Sequence, residues 1–126
     1  MLTDSPVMPT LPVVDLQRAA SFYKDKLGLM EEKSMKGAVV IKCGEGTKLL
    51  LYQRVQTKAD NTAAGFLVTD LEKIVKELKD KGVTFEQYDL PNLKTNADGI
   101  ADDGVIRSAW FKDTEGNILA ISQDVI

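Results

Sequence analysis

The residues able to do chemistry in this chain are defined first by a gap: its 126 residues include no histidine. That removes the most common general base near neutral pH and the most common nitrogen ligand for zinc, iron or nickel. The single cysteine, Cys43, has no histidine to take its proton and reads as a small, semi-buried filler. Asp98, Asp102 and Asp103 crowd the segment DGIADDG, but without the spacing and terminal glutamate of a calcium loop they read as a polar, solvent-facing stretch. GEGT at 44–47 lacks the strand–loop–helix setting and the lysine–hydroxyl pair that grip a nucleotide, so it reads as a hairpin turn. What remains is chemistry suited to holding a molecule: the only tryptophan, Trp110, and the hydroxyls of Thr10, Tyr52 and Ser122.

The whole composition narrows the classes further. The length suits one ordinary domain with a genuine core. An apolar share of 44% and a charged share of 28% are those of a soluble globular protein. No apolar run is long enough to span a bilayer, and MLTDSPVMP lacks the basic and apolar segments of a signal peptide. With one cysteine there is no internal disulfide, and a reducing cytoplasm is the expected compartment. A net charge of −3 with both signs interspersed leaves no basic stripe for phosphates, so neither nucleic acid nor membrane is an expected partner.

The elements that must position these residues come in two copies. Sliding the chain by 55 places lays LPVVDLQRAASFYKDK over FLVTDLEKIVKELKDK, with six identities in sixteen positions. Roughly one is expected from ordinary composition, so the chain carries an internal repeat. A slide of 70 lays KCGEGTKLLLYQ over KDTEGNILAISQ, which puts 15 extra residues in the second half. Each half opens with a short strand (11–14 and 66–69) running into a capping aspartate, Asp15 or Asp70. Leu16, Ala19, Ala20, Tyr23 and Leu27 then follow at helical spacing, as do Leu71, Ile74, Val75 and Leu78, and Gly28 and Gly82 stop the helices. A strand and a hairpin complete each half: 38–42 with 47–54, and 108–112 with 117–123. The unit is βαβββ, twice, in modules at about 7–56 and 62–126 of a single α+β domain.

A tandem βαβββ with PVVDLQRAASFYKDKLGL near its start and FKDTEGNILAI at its end resembles the vicinal oxygen chelate superfamily of glyoxalases, extradiol dioxygenases, and fosfomycin- and bleomycin-resistance proteins. The resemblance spans nearly the whole chain. It implies a curled mixed sheet around a central cavity. It also implies where a metal would be held: seven residues before each capping aspartate, at Met8 and Ala63, and four after each hairpin glycine, at Leu50 and Ala120. None of these four side chains offers a lone pair to a hard or borderline divalent ion, and the thioether of Met8 suits Cu(I) at best. The expectation is therefore a protein with no metal and no cofactor.

Strand alternation sorts the neighbours of those positions by face. Lys48 and Tyr52 accompany Leu50, Ile118 and Ser122 accompany Ala120, and Thr10 and Pro12 accompany Met8, with Trp110 on the adjoining strand turned towards the cavity. The expected ligand-binding set is Met8, Thr10, Leu50, Tyr52, Ala63, Trp110, Ala120 and Ser122. The extra residues at 86–107, punctuated by Pro91, Gly99 and Gly104, form a lid or a solvated loop whose most chemically plausible groups are Tyr88, Asp89 and Lys94. Two functions of different kind stay open. One is a metal-free protein that binds or sequesters a small, partly apolar molecule; the other is a lyase, isomerase or dioxygenase-type enzyme using side chains or a non-standard metal site. No catalytic residue follows from the sequence. The resemblance also implies a homodimer formed over exposed strand edges.

Overall fold

The structure, a computed structural model, describes residues 1–125. It is α+β and falls into two compact units, Met1–Thr57 and Lys58–Ile126. In the first unit β1 (Thr10–Val13) leads into α1 (Leu16–Asp25), followed by β2 (Met30–Met35), β3 (Ala38–Lys42) and β4 (Lys48–Gln53). The sheet order is β1-β4-β3-β2, with β1 parallel to β4 and the other pairs antiparallel. Alternation decides which face is covered. Leu11, Val13, Leu49 and Leu51 are buried together with Ala19 and Tyr23 of the helix, whereas Lys48, Leu50 and Tyr52 stay half-buried on the other face.

The second unit repeats the plan. β5 (Thr62–Leu67) and α2 (Leu71–Asp80) are followed, after an insertion, by β8 (Ile100–Asp102), β9 (Ile106–Lys112) and β10 (Ile118–Asp124). Their order, β5-β10-β9-β8, copies the first sheet strand for strand. Ala109, Phe111, Leu119 and Ile121 form the covered face with Leu71, Val75 and Leu78 of α2. The insertion is not a bare loop: β6 (Asp89–Leu90) and β7 (Leu93–Lys94) pair into a small antiparallel ribbon turning at Pro91 and Asn92.

The aspartates cap the helices as their positions suggest. Asp15 Oδ1 accepts from the Arg18 amide at 3.0 Å, and Asp70 Oδ1 from the Lys73 amide at 3.3 Å. Gly28 and Gly82 sit at φ +71° and +89°, where a Cβ is disfavoured, and past Gly82 the Val83 amide closes back on the Leu78 carbonyl at 3.0 Å. One strand departs from the sequence reading. β5 begins at Thr62 and ends at Leu67, several residues ahead of the expected 66–69. TAAG carries too little apolar bulk to announce a strand; pairing with β10 is what extends it.

Candidate functional site

The two hairpins that close the sheets rest on matching turns. Glu45 and Gly46 take φ of 55° and 77°, and Gly116 takes 87°. In the second hairpin Asp113 is buried and organises the turn. Its Oδ1 accepts from the amides of Glu115 and Asn117, both at 2.8 Å, and its Oδ2 from Asn117 Nδ2 at 2.9 Å. This fixes the register of β9 against β10, and so decides which side chains meet.

That register sets Ala120 beside Trp110 and Ser122 beside Ser108, with Gly65 of β5 on the far side of Ala120. Across the face turned away from α2 one row therefore reads Gly65, Ala120, Trp110: no side chain, a methyl, an indole. The next row reads Leu67, Ser122, Ser108, Ala101. Ser108 Oγ and Ser122 Oγ lie 2.7 Å apart in a hydrogen bond. Leu67 is strongly exposed, so this face carries apolar surface that its own unit does not cover.

Against this face the ribbon encloses a cleft of about 410 Å³. Its wall on the ribbon side is Pro91, Asn92, Leu93 and Lys94, and its sheet side includes Trp110 and Ser108. Asp102, Asp103 and Ile106 form part of the remaining lining. The ribbon is tied down at its base. Thr95 Oγ1 accepts from the Tyr88 amide at 2.9 Å, the Thr95 amide donates to the Tyr88 carbonyl at 2.9 Å, and Asn96 Oδ1 accepts from the amides of Asp98 and Ile100. Tyr88 meets Trp110 edge to face at 5.5 Å, and burial pushes its phenol pKa up, keeping it protonated at neutral pH.

The carboxylates at the cleft are committed to structure. Asp103 Oδ1 accepts from the amides of Val105 and Ile106, which hold its pKa below the ordinary carboxylate value. Asp102 accepts from the Gly104 amide and pairs with Arg107, itself paired with Glu72. Cys43, half-buried, has its thiol pKa raised by burial, the opposite of an activated nucleophile.

The expected site residues divide between the units. In the second, Trp110 lines the cleft, and Ala120 and Ser122 stand next to Trp110 and Ser108 on the same face. Ala63 falls where the pairing of β5 and β10 slips by one residue, between Thr62 and Ala64. In the first unit Thr10 pairs with Leu50 and Pro12 with Tyr52, so these share the uncovered face, while Met8 precedes β1 and is 38% exposed. The Leu50 amide donates to the Pro9 carbonyl, which draws the Met8 end of the chain alongside Leu50. Lys48, on the same face, forms a 2.8 Å ion pair with Glu32. Two contributors escaped the sequence reading: Ser108 and the paired ribbon. Both left signals. Counting outward from TEGN pairs Ser122 with Ser108, and LPNL has a Pro-Asn turn between two leucines.

The four positions that the resemblance assigns to a metal bear a thioether, an isobutyl group and two methyls, a donor set that does not fit a divalent ion. Among the described residues no three histidine, cysteine, aspartate or glutamate side chains gather as such an ion requires.

Comparison with known proteins agrees with the α+β fold. Residues 6–121 match the family model of the Glyoxalase/Bleomycin resistance protein/Dioxygenase superfamily. Among solved structures, TnmS3, an antibiotic binding protein from a Streptomyces species, superposes with a TM-score of 0.74 at 20% identity, covering 98% of this chain and 99% of that one. An integron cassette protein from the mobile metagenome of V. cholerae gives 0.66 at 27% identity over 98% and 97%. A virulence protein from Salmonella typhimurium gives 0.69 at 26% identity over 99% and 100%. A search of curated proteins found no match.

Proposed function

Because this chain belongs to the glyoxalase/bleomycin resistance protein/dioxygenase superfamily, we propose that it captures a small, partly apolar molecule, and does so without a metal. One observation carries the reading: the cleft of about 410 Å³ between the inserted ribbon and the face bearing Trp110 and Ser108. Its size lies in the ordinary range for small-molecule sites, about 300–1,000 Å³, and its lining is mixed, with Leu93, Ile106 and Trp110 set among Asn92, Lys94, Asp102, Asp103 and Ser108. The indole of Trp110 on the sheet side supplies an aromatic surface for a flat ring.

The chemistry of the side chains favours capture over turnover. The acids at the cleft are engaged with backbone amides or with Arg107, the tyrosine beside it is held protonated, and the chain has no histidine. A general base poised near neutral pH is therefore lacking among the groups placed at the cleft. The likeness to an antibiotic binding protein supports a protective, sequestering use. In this reading Thr10, Leu50 and Tyr52, with Met8 ahead of β1, form apolar and hydroxyl-bearing surface on the uncovered face of their own unit, and Ala63 lies on β5 of the second. The protein works in the cytoplasm and as a homodimer, for which the fully exposed edge strand β2 offers unpaired backbone.

The test is titration of Trp110, the only tryptophan, by fluorescence with a panel of aromatic and glycopeptide-like compounds. A saturable change for at least one member is expected. No response from any member, with turnover of a family-type substrate instead, would overturn the proposal.

A further inference from the structure

The uncovered protons of the cleft say more about what it selects. Two hydroxyls 2.7 Å apart have two protons between them, and their mutual hydrogen bond uses one. The other proton has no acceptor in the hydrogen bonds formed among the described residues. Nor does the indole N–H of Trp110 donate to any group there. Among the described residues no fully buried polar side-chain atom lacks a partner, so the Trp110 indole nitrogen is open to the cleft or to solvent. Ser108, which is buried to 9% exposure and lines the cleft, sits one row along β9 from Trp110. The sheet wall therefore offers an aromatic face next to spare donors.

Resting on the capture reading above, we infer that the cleft selects flat aromatic molecules bearing a carbonyl-type oxygen, which accepts a hydrogen bond from the Ser108–Ser122 pair while the ring lies against Trp110. The reason is desolvation. When Ser122 donates to Ser108, a ligand that excludes water from Ser108 strands the Ser108 proton unless it brings an acceptor of its own. A plain hydrocarbon of the same shape leaves that proton unpaired, and sites built around hydrogen bonds reject such analogues more strongly than apolar pockets reject a missing methylene. Ser122 acts here as a positioning residue, since it does not line the cleft but fixes the Ser108 rotor.

Fluorenone and fluorene, each bearing the same quaternary ammonium group for solubility, make the matched probes, both flat and differing by a carbonyl in place of a methylene. By isothermal titration the parent protein should bind the ketone about tenfold more tightly. Ser108→Ala should erase that preference, raising fluorene affinity because no donor is then left unpaired. Ser122→Ala should reduce it, because the Ser108 hydroxyl loses the partner that fixes its rotor. Equal binding of both probes by the parent overturns this inference but leaves capture standing, and that comparison needs no variant to fold. A preference that survives in folded Ser108→Ala also overturns it. Binding of neither probe also overturns it, while the capture reading stands or falls on the panel titration.

Discussion

Glycine 116 shows how one backbone angle positions a site several residues away. Its φ of +87° is one that side chains rarely adopt, and the buried Asp113 holds the turn around it. Gly116→Val should destabilise the protein by about 1–3 kcal/mol through local strain, read from chemical denaturation. A midpoint equal to the parent's would contradict this account of the turn. The turn glycine was legible in TEGN because few residues tolerate that angle. The role of Asp113 was not, since a buried carboxylate satisfied by amides looks in sequence like any polar loop residue. A second residue-scale prediction concerns Glu32. Its hydrogen bond to Lys48 holds its pKa below the ordinary carboxylate value. A depressed folded pKa means that the contribution is present above the ordinary value and fades as pH falls through the folded one. In Lys48→Met the Glu32 carboxyl should titrate at higher pH by NMR. An unchanged titration would show that the lysine is not the cause.

At the scale of elements the repeated βαβββ was readable because capping aspartates, stop glycines and alternation all agree in both halves. β5 was only half readable, because Ala63, Ala64 and Gly65 have no bulk to mark a strand and acquire one from pairing with β10. The ribbon of β6 and β7 was missed for a related reason: two-residue strands carry no period. Its consequence can be tested directly. Replacing residues 89–94 with a short glycine linker should leave the melting temperature within a few degrees, since Asp89, Leu90, Pro91 and Asn92 are all exposed, yet abolish binding in the Trp110 titration. Undiminished binding would place the ligand elsewhere. Ala120→Phe probes the sheet beside the cleft, where Ala120 is buried next to Trp110. A ring there would press on the indole and should weaken binding by about tenfold. If it instead costs about 1–3 kcal/mol in stability and the parent binds nothing, Ala120 is ordinary core.

On the scale of the whole molecule, the two sheets repeat the same strand order, yet only the second carries an insertion and a tryptophan. Membership of the superfamily was visible in the motifs at both ends of the chain. The cleft was not, because it is made by the ribbon folding against a sheet face, a long-range event that spacing alone does not encode. The central claim is capture without a metal, and the most direct measurement is the Trp110 titration run on one sample with and without a strong chelator, alongside metal analysis of untagged protein. The account predicts a saturable fluorescence change with the same midpoint in both, an unchanged melting temperature, and no stoichiometric transition metal. Binding that disappears with chelator, or that returns only on adding back a divalent ion, would contradict it.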